Sequence, residues 1–179
     1  MEIEKYDIEG PLLLKPKVFR DHRGFFMEAY NKRVFEELGI ISDFVQDNHS
    51  KSVKHTLRGL HYQVNRWQAK LVRVIQGEIW DVAVDIRPNS PTYGKSVCAT
   101  LTCANQHQFY IPVGFAHGFQ VVSETAEVIY KCSDFWSPED ERGVLWSDPQ
   151  LGLNWPNPDS PILSDKDLKH PEFKNLRLD

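Results

Sequence analysis

Apolar and polar residues alternate with period two through most of the middle of the chain, the spacing of strands that bury one face. The clearest run, Ile79 to Ile86, follows a Gln76-Gly77 turn and sets Trp80, Val82, Val84 and Ile86 on one face and Asp81, Ala83 and Asp85 on the other. Further strands are predicted over Lys70 to Ile75, Lys95 to Thr102, Gln108 to Ile111, Gly118 to Val122 and Glu127 to Cys132, with turn residues such as Pro88-Asn89-Ser90-Pro91 between them. Nearly all of 44–136 reads as strand. One α-helix is predicted before it, capped by Asn31, with Val34, Phe35 and Leu38 on one side and Gly39 closing it in the left-handed conformation. Five of the eleven prolines fall in the last 31 residues, so 137–179 is expected to wrap in extended form with short helical turns. Short strands with little helix predict a mainly β fold, a sandwich or barrel.

Composition narrows this picture. The 179 residues suit one domain, 1–179, and 41% hydrophobic with 12% aromatic content supports a core without disulfides or structural metal. Twenty-one basic against twenty-five acidic residues give a net charge of −4, with no overall attraction to nucleic acid or anionic lipid. Any phosphate must therefore be met by local positive charge. Cys98, Cys103 and Cys132 are odd in number and lack zinc spacing, so they are expected to be reduced, buried spacers. The opening MEIEKYDIEG has no apolar signal core and no apolar run reaches membrane-spanning length, which predicts a cytoplasmic location and no membrane partner.

Candidate chemistry gathers in two segments. Arg58-Gly59-Leu60-His61-Tyr62-Gln63 offers an imidazole that titrates near neutrality, although a lone histidine is more often a satisfied core or surface one. Pro112-Val113-Gly114-Phe115-Ala116-His117-Gly118-Phe119 has a P-x-G-x-x-H order that resembles a motif of the cupin superfamily, double-stranded β-helix barrels. Many cupins hold a metal through an H-x-H pair. Here His61 is flanked at that spacing by Gly59 and Gln63, so no metal site is expected.

Five longer stretches carry a more specific likeness: Lys17 to Glu28, Phe44 to Ser50, Leu57 to His61, Gly77 to Arg87 and Ile111 to Phe119. Together they resemble the dTDP-4-dehydrorhamnose 3,5-epimerase family, over about residues 10 to 170. The resemblance implies a cupin-type double-stranded β-helix (jelly-roll) barrel with a few short terminal helices. It implies cofactor-independent epimerisation at C3 and C5 of a dTDP-4-keto-6-deoxyhexose, dTDP-4-dehydro-6-deoxy-D-glucose, on the route to dTDP-L-rhamnose. It also implies a homodimer whose N-terminal strands, about 1–30, are exchanged. A relative that inverts one centre alone, and a non-catalytic sugar-nucleotide-binding cupin, are the alternatives.

By the same resemblance His61 is the base, Asp167 its orienting carboxylate, Tyr130 the proton donor and Lys70 the residue facing the C4 oxygen. Such a site is chemically required: a C–H beside a ketone is less acidic than imidazolium by on the order of ten pKa units, roughly 14 kcal/mol, so the enolate needs a donor at its oxygen. His117 matches a second pocket histidine, with Asp81 the candidate to hold it. Arg23, Glu28, Gln46, Asp47, Asn48, Arg58, Glu141 and Lys166 match substrate contacts, and Trp136 stands where many relatives stack a Tyr on the base. Asp167 has a local alternative, since Ser164-x-x-Asp167 also fits a helix capping box. Tyr130, Lys70 and Asp81 can likewise be ordinary core, solvated and buried hydrogen-bonding residues. Phe19, Phe25 and Phe26 suit either an interface or the core.

Overall fold

A computed structural model describes residues 1–178. In chain order the strands are β1 (Glu2–Lys5), β2 (Leu12–Lys15), β3 (Val18–Asp21), β4 (Gly24–Met27), β5 (Gln46–Val53), β6 (Leu57–Gln63) and β7 (Lys70–Gln76). They continue with β8 (Glu78–Asp85), β9 (Ser96–Thr102), β10 (Gln108–Ile111), β11 (Phe115–Val121), β12 (Thr125–Cys132) and β13 (Glu141–Gly143). Helix α1 (Lys32–Glu37) precedes β5, and 3₁₀ turns at Asp167–Lys169 and Phe173–Asn175 punctuate the tail. Asn31 caps α1 by accepting from the Arg33 N–H, and Gly39 takes a φ of 83° beyond it.

The strands form a six-stranded sheet, β1-β2-β10-β7-β12-β5, and a five-stranded sheet, β13-β6-β11-β8-β9, with β3 and β4 a separate hairpin. Val72, Val74, Phe109 and Val128 of the larger sheet meet Ile79, Ala83, Leu101 and Phe119 of the smaller in one apolar cluster. Each sheet is also covered outside. Phe35 and Ile40, in and just after α1, pack with Leu14, Leu71 and Tyr110 of the six-stranded sheet, and Leu151, Trp155 and Phe173 of the tail pack with Val82 and Val84 of β8 and with Ile86 just after it. Double cover explains why β11 is buried throughout and why β8 buries both its faces. The wholly apolar face of β8 lies under the tail, so the face bearing Asp81 looks into the barrel.

The tail is more tightly held than an extended wrap requires. Burying Leu151, Trp155 and Phe173 contributes about 1.5–3 kcal/mol each relative to exposure. The Leu145 N–H donates to the Pro171 carbonyl at 2.8 Å, and the Phe173 N–H to Asp148 Oδ2 at 2.6 Å. The tail also supplies β13, which extends the five-stranded sheet beside β6. Among the described residues no helix is long and apolar enough to cross a membrane.

Several expectations change. β11 starts at Phe115 rather than Gly118, which puts His117 inside a strand. Only Cys132 is a buried spacer; Cys98 is exposed because the buried positions of β9 are Val97, Ala99 and Leu101 and the alternation turns it outward, and Cys103 is exposed in the turn beyond that strand. Phe19, Phe25 and Phe26 are 54%, 52% and 71% exposed, so they are not core of this chain. The segment 1–30 divides in two: β1 and β2 join the chain's own sheet through β10, while β3 and β4 pair only with each other.

β6 and β11 approach closely. A Cβ on Gly118 would lie 2.8 Å from the Arg58 carbonyl and 3.2 Å from Gly59 Cα, and one on Gly59, at a φ of 129°, would lie 2.5 Å from Gly118 Cα. Gly118→Ala is therefore expected to cost about 1–3 kcal/mol by overpacking, read by urea denaturation. Unchanged stability would mean that the strands can separate freely there.

Candidate active site

The register sets the site. His61 on β6 pairs across with His117 on β11 and, on its other side, with Gly143 on β13. On the six-stranded sheet Tyr130 of β12 pairs with Asn48 of β5 and Val72 of β7, while Cys132 pairs with Lys70. Polar side chains from both sheets line one cavity of about 430 Å³, which draws His61, His117 and Arg58 from one and Lys70, Tyr130, Gln46 and Asn48 from the other. Trp136 and Glu141 complete the rim.

Behind His61 stands the tail. His61 Nε2 and Asp167 Oδ1 are 2.6 Å apart, with Asp167 4% exposed. Burial alone would raise the Asp167 pKa, but the neighbouring imidazoles of His170 and His61 outweigh it and hold the carboxyl below the usual range. Burial pulls the His61 pKa below the ordinary imidazole value of 6.5, against the opposing pull of Asp167. The Asp167 N–H also donates to Ser164 Oγ at 3.1 Å. One half of the capping box is thus present while the carboxylate that would complete it turns to the histidine.

His117 Nε2 lies 2.8 Å from Asp81 Oδ1, and Asp81 is fully buried with its second oxygen unpartnered. Desolvation raises the Asp81 pKa and His117 opposes it. Burial raises the Tyr130 pKa, reinforced by Cys132 and countered by Arg58, so the phenol holds its proton at neutral pH. Burial lowers the Lys70 pKa, with Cys132, Glu141 and Asp81 pulling it back up.

At the rim Trp136 is held edge-on: its backbone N–H donates to Gln46 Oε1 at 2.9 Å and its indole N–H to Glu141 Oε2 at 3.0 Å. The ring stays 57% exposed, a flat platform open to a ligand. Lys166 pairs with Glu141 at 2.5 Å. Arg58 Nε donates to Ser52 Oγ at 3.1 Å.

Of the expected contacts four stand apart. Asp47 pairs with Lys131 on the outer side of β5, Arg23 pairs with Asp21, Glu28 accepts from Asn31, and Lys166 reaches the cavity only through its pair with Glu141; none of the four lines it. Conversely Ser50, Tyr62, Gln63, Gln68 and Phe119 line it without having been singled out. Ser50 was within reach of the pattern, since it continues Gln46 and Asn48 at period two. Gln63 carried no such signal: its role is to grip the carbonyls of Arg66 and Phe135 and the Ser137 N–H, which fixes the loop bearing Trp136.

The donor atoms of His61, Asp167 and His170 lie within 4.8 Å of one another. Ligands around a tetrahedral zinc at bonds near 2.0 Å stand roughly 3.3 Å apart. The 2.6 Å between His61 and Asp167 is the spacing of a shared proton instead.

Fold and cavity define the class: a cupin-type barrel whose pocket sets a histidine–carboxylate pair and a protonated phenol on facing sheets. A model of the dTDP-4-dehydrorhamnose 3,5-epimerase family matches residues 5–175. The dTDP-4-dehydrorhamnose 3,5-epimerase of Pseudomonas aeruginosa is 52% identical over 97% of this chain and 96% of its own. The solved dTDP-6-deoxy-D-glucose-3,5-epimerase of Legionella pneumophila, in complex with dTDP-4-keto-L-rhamnose, superposes with a TM-score of 0.96 at 46% identity, over 98% of this chain and 94% of that one. The 3'-monoepimerase ChmJ of Streptomyces bikiniensis, in complex with dTDP-quinovose, aligns at 32% identity and a TM-score of 0.87, over 93% and 85%. The chain belongs to the dTDP-4-dehydrorhamnose 3,5-epimerase family.

Because burial disfavours the imidazolium and Asp167 favours it, NMR titration of His61 is expected to give a midpoint below 6.5, and Asp167→Asn to lower it further. A midpoint that rises in Asp167→Asn would show that the carboxylate does not act on the ring.

Proposed function

We propose that this chain epimerises C3 and C5 of dTDP-4-dehydro-6-deoxy-D-glucose, giving dTDP-4-dehydro-L-rhamnose through enolates beside the C4 ketone. The arrangement that carries this reading is His61, backed by Asp167, and Tyr130 on opposite sheets of one cavity. Inversion needs a proton removed from one face of a carbon and another delivered to the opposite face, so base and acid must stand on opposite walls.

Each group is suited to its step. The depressed His61 pKa leaves a neutral imidazole at working pH, and with Nε2 bound to Asp167 it is Nδ1 that takes the proton. Asp167 then faces a full imidazolium, which stabilises the charge that develops. The elevated Tyr130 pKa keeps a proton in place for the carbanion. Lys70 donates to the C4 oxygen, where the enolate gathers its charge. Only protons move, so the reaction calls for no redox cofactor. His117, held by Asp81, is assigned to binding the sugar.

For the nucleotide, Trp136 offers its exposed face to thymine, with Gln46, Asn48, Arg58, Glu141 and Lys166 around it. Arg58 supplies the local positive charge that the acidic chain lacks overall. Arg23 and Glu28 lie off the chain's own cavity, on and beside a hairpin that exposes three phenylalanines. That favours a homodimer in which the hairpin reaches the partner's pocket, with residues 1–179 acting as one domain. Three free cysteines without a disulfide suit a cytoplasmic location.

Incubation of wild type with the substrate in D₂O is expected to place two deuteriums in the product, unaffected by EDTA, and His61→Ala to abolish uptake. One deuterium would assign the chain to single-centre epimerisation as in ChmJ, and none would remove the epimerase reading.

A further inference from the structure

Behind the His61–Asp167 pair lies a second histidine that the proposed reaction leaves without a part. His170 Nε2 is 3.4 Å from Asp167 Oδ1, the oxygen that already meets His61, and its ring packs edge-on to His61 with centroids 5.4 Å apart. The side chain is only 8% exposed, and no well-aligned hydrogen bond satisfies Nε2; the acceptor it faces is that carboxylate oxygen.

The slot it occupies is built for it. Gly143 stands opposite His61 in the β6–β13 register, and a Cβ there would come within 2.4 Å of His170 Nε2 and Cε1. Any side chain at 143 would push the imidazole off the carboxylate. The next residue, Pro171, is pinned to β13's continuation by the Leu145 N–H.

We propose that His170 is a positioning residue for the His61 base, fixing the Asp167 carboxylate and sharing its Oδ1 so that the carboxylate's hold on His61 is limited. This rests on the reading of His61 as the base. A carboxylate oxygen faced by two imidazoles divides its electrostatic pull between them. Without His170, Asp167 would spend its charge on His61 alone, stabilise the imidazolium further and leave less neutral base at a given pH. The charged and titratable groups facing His61 come from several elements: Asp167 and His170 of the tail, Lys70 of β7, Glu141 of β13 and His117 of β11.

The test compares His170→Leu, His170→Gln and Gly143→Ala in the full-length enzyme, with the NMR titration of His61 and the pH profile of kcat/KM as readouts. His170→Leu is expected to raise the His61 midpoint by about half a unit. It should lower kcat by up to about threefold at pH values below the midpoint, where the neutral base is depleted, with KM little changed. His170→Gln, whose amide N–H reaches toward the same oxygen, is expected to restore both. Gly143→Ala keeps His170 but closes its slot, so it should shift the midpoint upward too, and it carries the test if His170→Leu does not fold. A midpoint unmoved in His170→Leu and Gly143→Ala, with only a lower Tm, overturns the proposal and leaves His170 a packing residue. Because that midpoint is read without turnover, its result is separate from the base assignment, which an active His61→Ala enzyme would overturn alone.

Discussion

The 2.6 Å contact between His61 and Asp167 ties the C-terminal tail to the interior of the barrel. A carboxylate as buried as Asp167 is costly unless hydrogen bonds and opposite charge surround it. The tail therefore has to be placed accurately, and its apolar anchors Leu151, Trp155 and Phe173 do that placing against the outer face of the five-stranded sheet. Those contacts far from the cavity hold the carboxylate that meets His61.

Facing sheets solve the geometric problem of the chemistry. Side chains on a strand alternate between faces, so every second residue of β5, β6, β7, β11 and β12 points into the barrel. Toward one end those residues, with Ile79 of β8 and Leu101 of β9, are Val74 and Val128, which close the core; toward the other they are Gln46, Asn48, His61, Lys70, His117 and Tyr130, which open the cavity. His61 and Tyr130, the proposed base and acid, belong to different sheets, and so are held apart by the same packing that holds the sheets together. Burial also tunes them in useful directions, His61 downward and Tyr130 upward, because it penalises the charged form of each.

Much of this was legible from period-two patterning, which located the middle strands, and from Asn31 and Gly39, which bounded the single helix. Asp81 was legible as the candidate to hold His117, and the barrel sets the two 2.8 Å apart. Local pattern could not decide Asp167. Ser164 and Asp167 fit a capping box, and only the tertiary path shows the amide capped while the carboxylate crosses 106 residues of sequence to His61. β13 was illegible for a related reason: Glu141-Arg142-Gly143 has no strand composition, and it pairs because the wrapped tail brings it to the edge of β6. The cysteines misled because Cys98 takes an outward position on β9, which composition alone does not reveal.

Separate walls for base and acid make breaking the C–H bond separable from inverting the carbon, and Tyr130→Phe in D₂O tests that most directly. His61 remains able to remove a proton and, after exchange with solvent, return deuterium to the same face. The variant should therefore gain deuterium with configuration retained, while inverted product falls by about 10² or more, as expected on losing a positioned acid. Near wild-type inversion by Tyr130→Phe would contradict the two-wall mechanism and pass the role of acid to water or another residue.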